Sequence, residues 1–351
     1  MRTKLIILAG ALALATAEAA SSPEPYHAHT EARASMDLRM QRVQLATGVE
    51  LELVQAGPVD GTPVLFLHGY TDSWYSFAPV LDRLPPGVRA IVPSQRGHGD
   101  SERPSCCYAF PDLAADAVAL LDALGIPRAA VVGHSMGSFV AQRVAIDYPD
   151  RVSRLVLVGS GHTYGTEAVS GFFTEVVRTL EDPVPPELIE EFQVSTTARP
   201  LPAAFLATVI AESGKLPARV WREALRQQLD GDARDELDAI TAPTWVVSGE
   251  LDDFFPPSGA RELADRVVGA RQVIYQGTGH AVHWEEPDRF VQDLQVFLGS
   301  AEEAMRLDGR APWALADHIH EDVVDDVRRH LDEEHVEAYL HERVTLPNVS
   351  P

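Results

Sequence analysis

Short, nearly unbroken runs of apolar residues recur along the chain, separated by longer stretches in which apolar positions return every three or four residues. The runs Val49–Val54, Pro63–Leu67, Ala90–Val92, Ala129–Val132, Leu155–Val158, Thr244–Val247 and Gln272–Tyr275 predict strands. A strand that is apolar at successive positions is buried on both faces, and helices on either side of a parallel sheet produce that environment. Pro111–Leu124 and Ser138–Tyr148 are two of the predicted helices between them. The pattern therefore predicts an α/β fold, a mostly parallel sheet flanked by helices. Residues 162–242 break the rhythm. They hold no strand pattern, only helical stripes such as Phe172, Phe173, Val176, Val177 and Leu180, then Leu188, Ile189 and Phe192, then Phe205, Val209, Trp221 and Leu225. An all-helical insertion at this point sits over the carboxyl ends of the strands, where α/β sheets bind ligands.

The two ends read differently. Arg2 and Lys4, the apolar run Leu5–Ala15 and the small residues of Ala17-Glu18-Ala19 predict a signal peptide over residues 1–20. The apolar run is too short to span a bilayer, and no cysteine stands at the cleavage position for a lipid anchor. The mature chain is thus expected to start near Ala20 and to be secreted or periplasmic. Residues 21–40 form a Pro/Ser/Ala-rich lead-in. Residues 300–351 form an acidic tail in which thirteen Asp and Glu face five Arg, a net of −8. Ile319, Val323, Val327 and Leu331 predict an amphipathic helix there. The five histidines of the tail are scattered on a solvated face and are not read as a metal site.

The chain has 351 residues, 45% of them hydrophobic, enough for one large α/β domain with an insertion. Its formal net charge of −23 disfavours nucleic acid and anionic membrane surfaces as partners. Cys106 and Cys107 are the only cysteines and are neighbours. A bond between them closes no stabilising loop; free thiols or an intermolecular bridge are the alternatives.

The chemistry concentrates in Gly133-His134-Ser135-Met136-Gly137, which follows the strand run AAVV and opens an apolar helix. A turn from strand to helix this tight exposes the central hydroxyl and requires nearly side-chain-free residues two positions to either side. Ser135 is the predicted nucleophile. A hydroxyl needs a base, and His280, in Gly277-Thr278-Gly279-His280 directly after the last strand, is preferred over His283, which turns away with the next helix. An imidazole base needs a carboxylate to fix its tautomer. Asp252 is the choice, with Asp253 and Glu250 behind it. The loop after the strand LVLV reads Gly159-Ser160-Gly161 and offers no carboxylate. The oxyanion donors are assigned to the backbone N–H of Met136 and, from the His68-Gly69-Tyr70 loop, of Tyr70. His68 is read as structural. Trp74, Phe139, Trp284 and the aromatics of the insertion are candidate pocket walls, each of which also suits a core.

With these motifs in hand, the sequence resembles the α/β-hydrolase fold family, in its serine-nucleophile branch with an HG oxyanion loop and a helical cap. The resemblance spans about residues 43–298. It rests on His68-Gly69, Arg96-Gly97-His98-Gly99-Asp100-Ser101, the GHSMG turn, the run ending at Asp252, and Gly279-His280 followed by Trp284-Glu285-Glu286-Pro287. It implies a core of residues 43–161 and 243–299 with a cap at 162–242, and it matches the chain order Ser, Asp, His. One position departs: the family commonly carries Asp where this chain has Ser94. Relatives with an aspartate nucleophile, the epoxide hydrolases and haloalkane dehalogenases, are disfavoured by Ser135. The resemblance implies a serine hydrolase of a small-molecule ester or lactone, working through an acyl-enzyme without cofactor or metal. Carbon–carbon bond hydrolysis and cofactor-free haloperoxidase or perhydrolase chemistry on the same triad remain the alternatives. A slow-turnover ligand receptor and a triad-less interaction protein belong to other classes, and the complete Ser/Asp/His set argues against the latter.

Overall fold

The computed structural model describes residues 37–231 and 233–299. The predicted signal peptide and acidic tail lie outside the described residues. The strands are β1 Arg39–Gln44, β2 Glu50–Ala56, β3 Thr62–Leu67, β4 Val88–Pro93, β5 Ala129–His134, β6 Val152–Val158, β7 Thr244–Gly249 and β8 Arg271–Tyr275. The helices are α1 Ala78–Leu81, α2 Phe110–Ala123, α3 Met136–Asp147, α4 Glu167–Glu175, α5 Pro186–Ser195, α6 Ala203–Ser213, α7 Ala218–Leu229, α8 Pro257–Arg266, α9 Val282–Glu285 and α10 Pro287–Gly299.

All eight strands form one sheet in the order β1-β2-β4-β3-β5-β6-β7-β8. From β4 onward every pairing is parallel. The antiparallel pairings are those of β1 with β2 and of β2 with β4. Alternate residues of the inner strands enter opposite layers, as the strand period of two requires. Leu65, Leu67, Val131, Leu155 and Leu157 pack with α2, α3 and α8. Val64, Phe66, Ala130, Val132, Val156 and Val158 pack with α1, α9 and α10. Both faces are covered, which is why these strands read as unbroken apolar runs.

One strand escaped the sequence reading. β1 lies partly inside the segment expected to be a loose lead-in. Its sequence, RMQRVQ, is exposed at nearly every position. It is held by backbone pairing to β2 instead of by burial, so hydropathy carries no trace of it.

The loop after β4 carries the departure at Ser94. Its hydroxyl donates to Glu52 Oε2 at 2.8 Å and accepts from Trp74 N–H at 3.1 Å. Glu52 Oε2 also accepts Asp100 N–H at 3.1 Å. The Ser94 hydroxyl thus meets a carboxylate from β2 that is itself buried. Two residues on, Arg96 and Asp116 of α2 form a buried fork: Nε to Oδ2 at 2.5 Å and Nη2 to Oδ1 at 2.6 Å. Thr47 and the carbonyl of Cys107 complete its hydrogen bonds. Removing one member of a buried pair leaves the other charge uncompensated. Asp116→Ala is therefore expected to lower the unfolding free energy by about 3–5 kcal/mol, read by urea denaturation. A loss below ~1 kcal/mol would put the pair in the range of exposed ion pairs.

Cys106 and Cys107, whose state the sequence left open, are disulfide-bonded to each other.

Residues 162–242 contain α4 to α7 and, among the described residues, no strand. In α7 the buried positions are Ala218, Val220, Trp221, Ala224, Leu225 and Gln228, a helical stripe turned toward the strands' carboxyl ends.

Candidate active site

β5 ends at His134 and α3 begins at Met136, leaving the whole change of direction to Ser135. Its backbone sits at φ 51, ψ −123, a conformation that costs an L-residue on the order of 1–3 kcal/mol and marks functional turns. The flanking glycines are required by contact. A Cβ on Gly133 would lie 2.2 Å from Gly137 O, and one on Gly137 would lie 2.1 Å from Leu67 O. Ser135 N–H donates to Val158 O at 2.9 Å, tying the turn to β6. Its hydroxyl has no hydrogen-bond partner among the described residues and lines a cavity beneath the helical insertion.

His280 and Asp252 follow β8 and β7. Asp252 Oδ2 lies 2.8 Å from His280 Nδ1. The other carboxylate oxygen accepts the N–H groups of Phe254 and Phe255, each at 2.9 Å. This fixes the carboxylate and assigns the imidazole proton to Nδ1, leaving Nε2 as an acceptor on a residue that lines the same cavity as Ser135. No hydrogen bond joins Ser135 Oγ to His280 Nε2 here; in unliganded sites that contact commonly tightens only around substrate. The competing acids are elsewhere. Asp253 is exposed, and Glu250 accepts Gly277 N–H at 2.8 Å.

His283, the competing base, is sealed behind the site. Its ring packs 4.9 Å from Phe77 and 4.5 Å from His134, and its Nε2 lies 3.5 Å from Ser76 Oγ. Burial, with His280 nearby, lowers its pKa to about 3. His68 is buried as well: Nε2 accepts Gln95 N–H at 2.9 Å while Nδ1 faces Gly69 O. It joins the loops after β3 and β4, as expected of a structural residue.

Tyr70 lies in the loop after β3, and Met136, the residue after the nucleophile, opens the first turn of α3. Neither N–H has an acceptor among the described residues. The phenol of Tyr70 donates to Trp221 O in the insertion at 2.7 Å. Of the three wall candidates outside the insertion, Trp284 lines the cavity. Trp74 and Phe139 pack in the two core layers instead.

The cavity and its mouth together span about 490 Å³ of space, open solvent included. Tyr164, Phe172, Phe192, Phe254 and Phe255 give it apolar walls, and no Lys or Arg lines it. The sequence reading missed its polar members, Asp72, Gln193 and Thr196. Burial raises the Asp72 carboxyl to about 7, against the opposing hydrogen bonds from Gln193 and Ser76. No motif announces these residues; only the docking of the insertion onto the β3 loop brings them together.

A family model described as alpha/beta hydrolase fold matches residues 62–287. The chain is 31% identical over 279 residues to a 2-hydroxymuconate semialdehyde hydrolase from Pseudomonas sp., covering 74% of this chain and 94% of the relative. It is 33% identical to a putative carbamate hydrolase from Variovorax paradoxus, over 69% of this chain and 93% of that one. Among solved structures, a hydrolase from Pseudomonas aeruginosa is similar at a TM-score of 0.66 and 25% identity, over 74% of this chain and 98% of that chain.

Proposed function

Since the chain belongs to the α/β-hydrolase fold family, we propose that it is a serine hydrolase acting on small, uncharged esters or lactones, with Ser135, His280 and Asp252 as its triad. The observation that carries this reading is the Asp252–His280 pair, 2.8 Å apart, facing the Ser135 turn inside an apolar cavity without a cation. Ser135 Oγ attacks the acyl carbon as His280 Nε2 takes its proton, and Asp252 stabilises the imidazolium. The developing oxyanion lies against the N–H groups of Tyr70 and Met136, each such donor contributing about 2.7–4 kcal/mol. Collapse expels the alkoxide, protonated by His280. The imidazole then takes a proton from water as the water oxygen adds to the acyl carbon, and it returns that proton to Ser135 Oγ as the C–Oγ bond breaks and the acid leaves.

Cavity chemistry supports the choice among family reactions. The Pseudomonas relative is named for a carboxylate substrate. Similarity to it favours carbon–carbon bond hydrolysis as the second reading. A carboxylate buried without a charged partner is strongly disfavoured, and Asp72 already places a carboxyl in this cavity. Two esters matched in size, p-nitrophenyl butyrate and the monoanionic p-nitrophenyl succinate, are expected to differ by roughly 100-fold in kcat/KM in favour of the neutral one, or about 2.7 kcal/mol. Equal rates, or faster cleavage of a 2-hydroxy-6-oxo-dienoate than of any ester, would replace this reading by the second.

We further propose secretion, on the strength of the predicted leader over residues 1–20. No helix of the described residues is long and apolar enough to cross a membrane.

A further inference from the structure

The turn that presents Tyr70 N–H is held in a disfavoured shape. Thr71, the next residue, has φ 64. A β-branched residue in the left-handed region is a true outlier and persists only where its surroundings over-determine it. The turn's own closure is weak, Asp72 N–H to Gly69 O at 3.3 Å. Ser76 and His134 of the core approach its Asp72 side chain, and the hydrogen bond to the backbone of Thr71 comes from the cap.

Gln193, on α5, and Ser213, on α6, are both fully buried against this turn. Gln193 Nε2 donates to Ser213 Oγ at 2.7 Å and to Asp72 Oδ1 at 3.1 Å, with Thr71 Oγ1 a longer contact at 3.3 Å. Ser213 Oγ donates in turn to Thr71 O at 3.0 Å. The relay has one direction: the amide feeds the hydroxyl, and the hydroxyl grips the carbonyl of the strained residue. The second amide proton holds the side chain of the residue after it. Ser76 Oγ, from the core, approaches Asp72 Oδ2 at 3.3 Å.

We propose that Gln193 and Ser213 are positioning residues that clamp the Gly69–Asp72 turn from the cap, so that the oxyanion hole is complete only with the cap seated. This rests on the serine hydrolase reading above, because the clamp acts through Tyr70 N–H. It adds a role that the cap's position over the strands does not require. The cap shapes the cavity and also holds a backbone donor of the core in place. Without the clamp, Thr71 relaxes toward negative φ, the Tyr70–Thr71 peptide reorients, the weak Asp72 N–H to Gly69 O closure opens, and the Gly69–Tyr70 peptide that carries Tyr70 N–H shifts away from the oxyanion. An N–H of this kind acts on the transition state more than on the bound ester, so its misplacement lowers kcat and leaves KM nearly unchanged.

The test uses the full-length protein and p-nitrophenyl butyrate. Gln193→Met keeps the volume and removes the donor; Ser213→Ala is the smaller change and serves if the methionine variant fails to fold. Either is expected to lower kcat by roughly 10–100-fold with KM within about threefold of wild type. Glycine adopts positive φ without strain, so Thr71→Gly makes the clamp less necessary. The loss caused by Gln193→Met, or by Ser213→Ala, is expected to shrink at least about fivefold in a Thr71→Gly background but not in a Thr71→Val background, which removes the same Thr71 hydroxyl contacts and keeps the strained β-branched residue. An unchanged kcat, a loss confined to KM, or an equal loss in the glycine background would each overturn the proposal. The clamp is read from ratios to wild type, whereas the underlying reading is tested by whether wild-type turnover depends on Ser135, so either can fail alone.

Discussion

Ser135→Ala is expected to reduce ester hydrolysis by about 10⁴-fold or more, since a triad works as a unit and loses nearly everything with its nucleophile. The protein should remain folded. Ser135 Oγ has no hydrogen-bond partner among the described residues, while the bonds that fix the turn belong to the backbone: Ser135 N–H to Val158 O at 2.9 Å and Ser138 N–H to Ser135 O at 2.8 Å. Alanine inherits the φ of 51 and with it the same strain, so the melting temperature should stay close to wild type. A fluorophosphonate probe, which phosphonylates an activated serine with loss of fluoride, should label the wild type and lose its target in the variant. Persistent labelling, or hydrolysis that survives in a folded variant, would move the nucleophile away from Ser135.

The sequence shows most of the core because the core is made of residues whose neighbours are settled by local pattern. Double-sided burial writes itself as unbroken apolar runs, and the tight turn at Ser135 demands glycine at 133 and 137 for contact reasons alone. His280 and Asp252 each follow directly on a strand, so their place at the sheet's carboxyl edge is legible from order along the chain. What stays hidden depends on distant partners. β1 exists through pairing with β2, not through hydropathy. Glu52 reads as an ordinary strand residue until the β4 loop folds over it and Ser94 turns to it. Gln193 and Ser213 sit in amphipathic helices where a polar residue predicts solvent; both are fully buried because the helices dock on the β3 loop. Hydrophobic stripes predicted that the cap packs, but not which of its polar groups would be carried inside with it.

His280→Ala is expected to cost nearly as much as the loss of Ser135, again several orders of magnitude in kcat, whereas His283→Ala should cost less than about tenfold. Both histidines are buried and their rings lie close to His134, at 4.9 Å for His280 and 4.5 Å for His283. They differ in what the other ring nitrogen meets. His280 Nδ1 is bonded to a carboxylate that is itself held by two backbone N–H groups, so an imidazolium formed there is stabilised the moment it appears. The neighbours of His283 are Ser76, the rings of Phe77, Trp284 and Phe290, and His134, and burial lowers its pKa to about 3. A proton taken from serine at neutral pH would be held by His283 only at a cost of roughly 1.4 kcal/mol for each unit by which its pKa falls short. The alanine at 283 instead removes packing between α9 and Phe77, an effect on stability. Activity per folded molecule, corrected by active-site titration, separates the two outcomes. A folded His283→Ala protein with the more severe loss would make His283 the base and leave the Asp252–His280 pair a structural one.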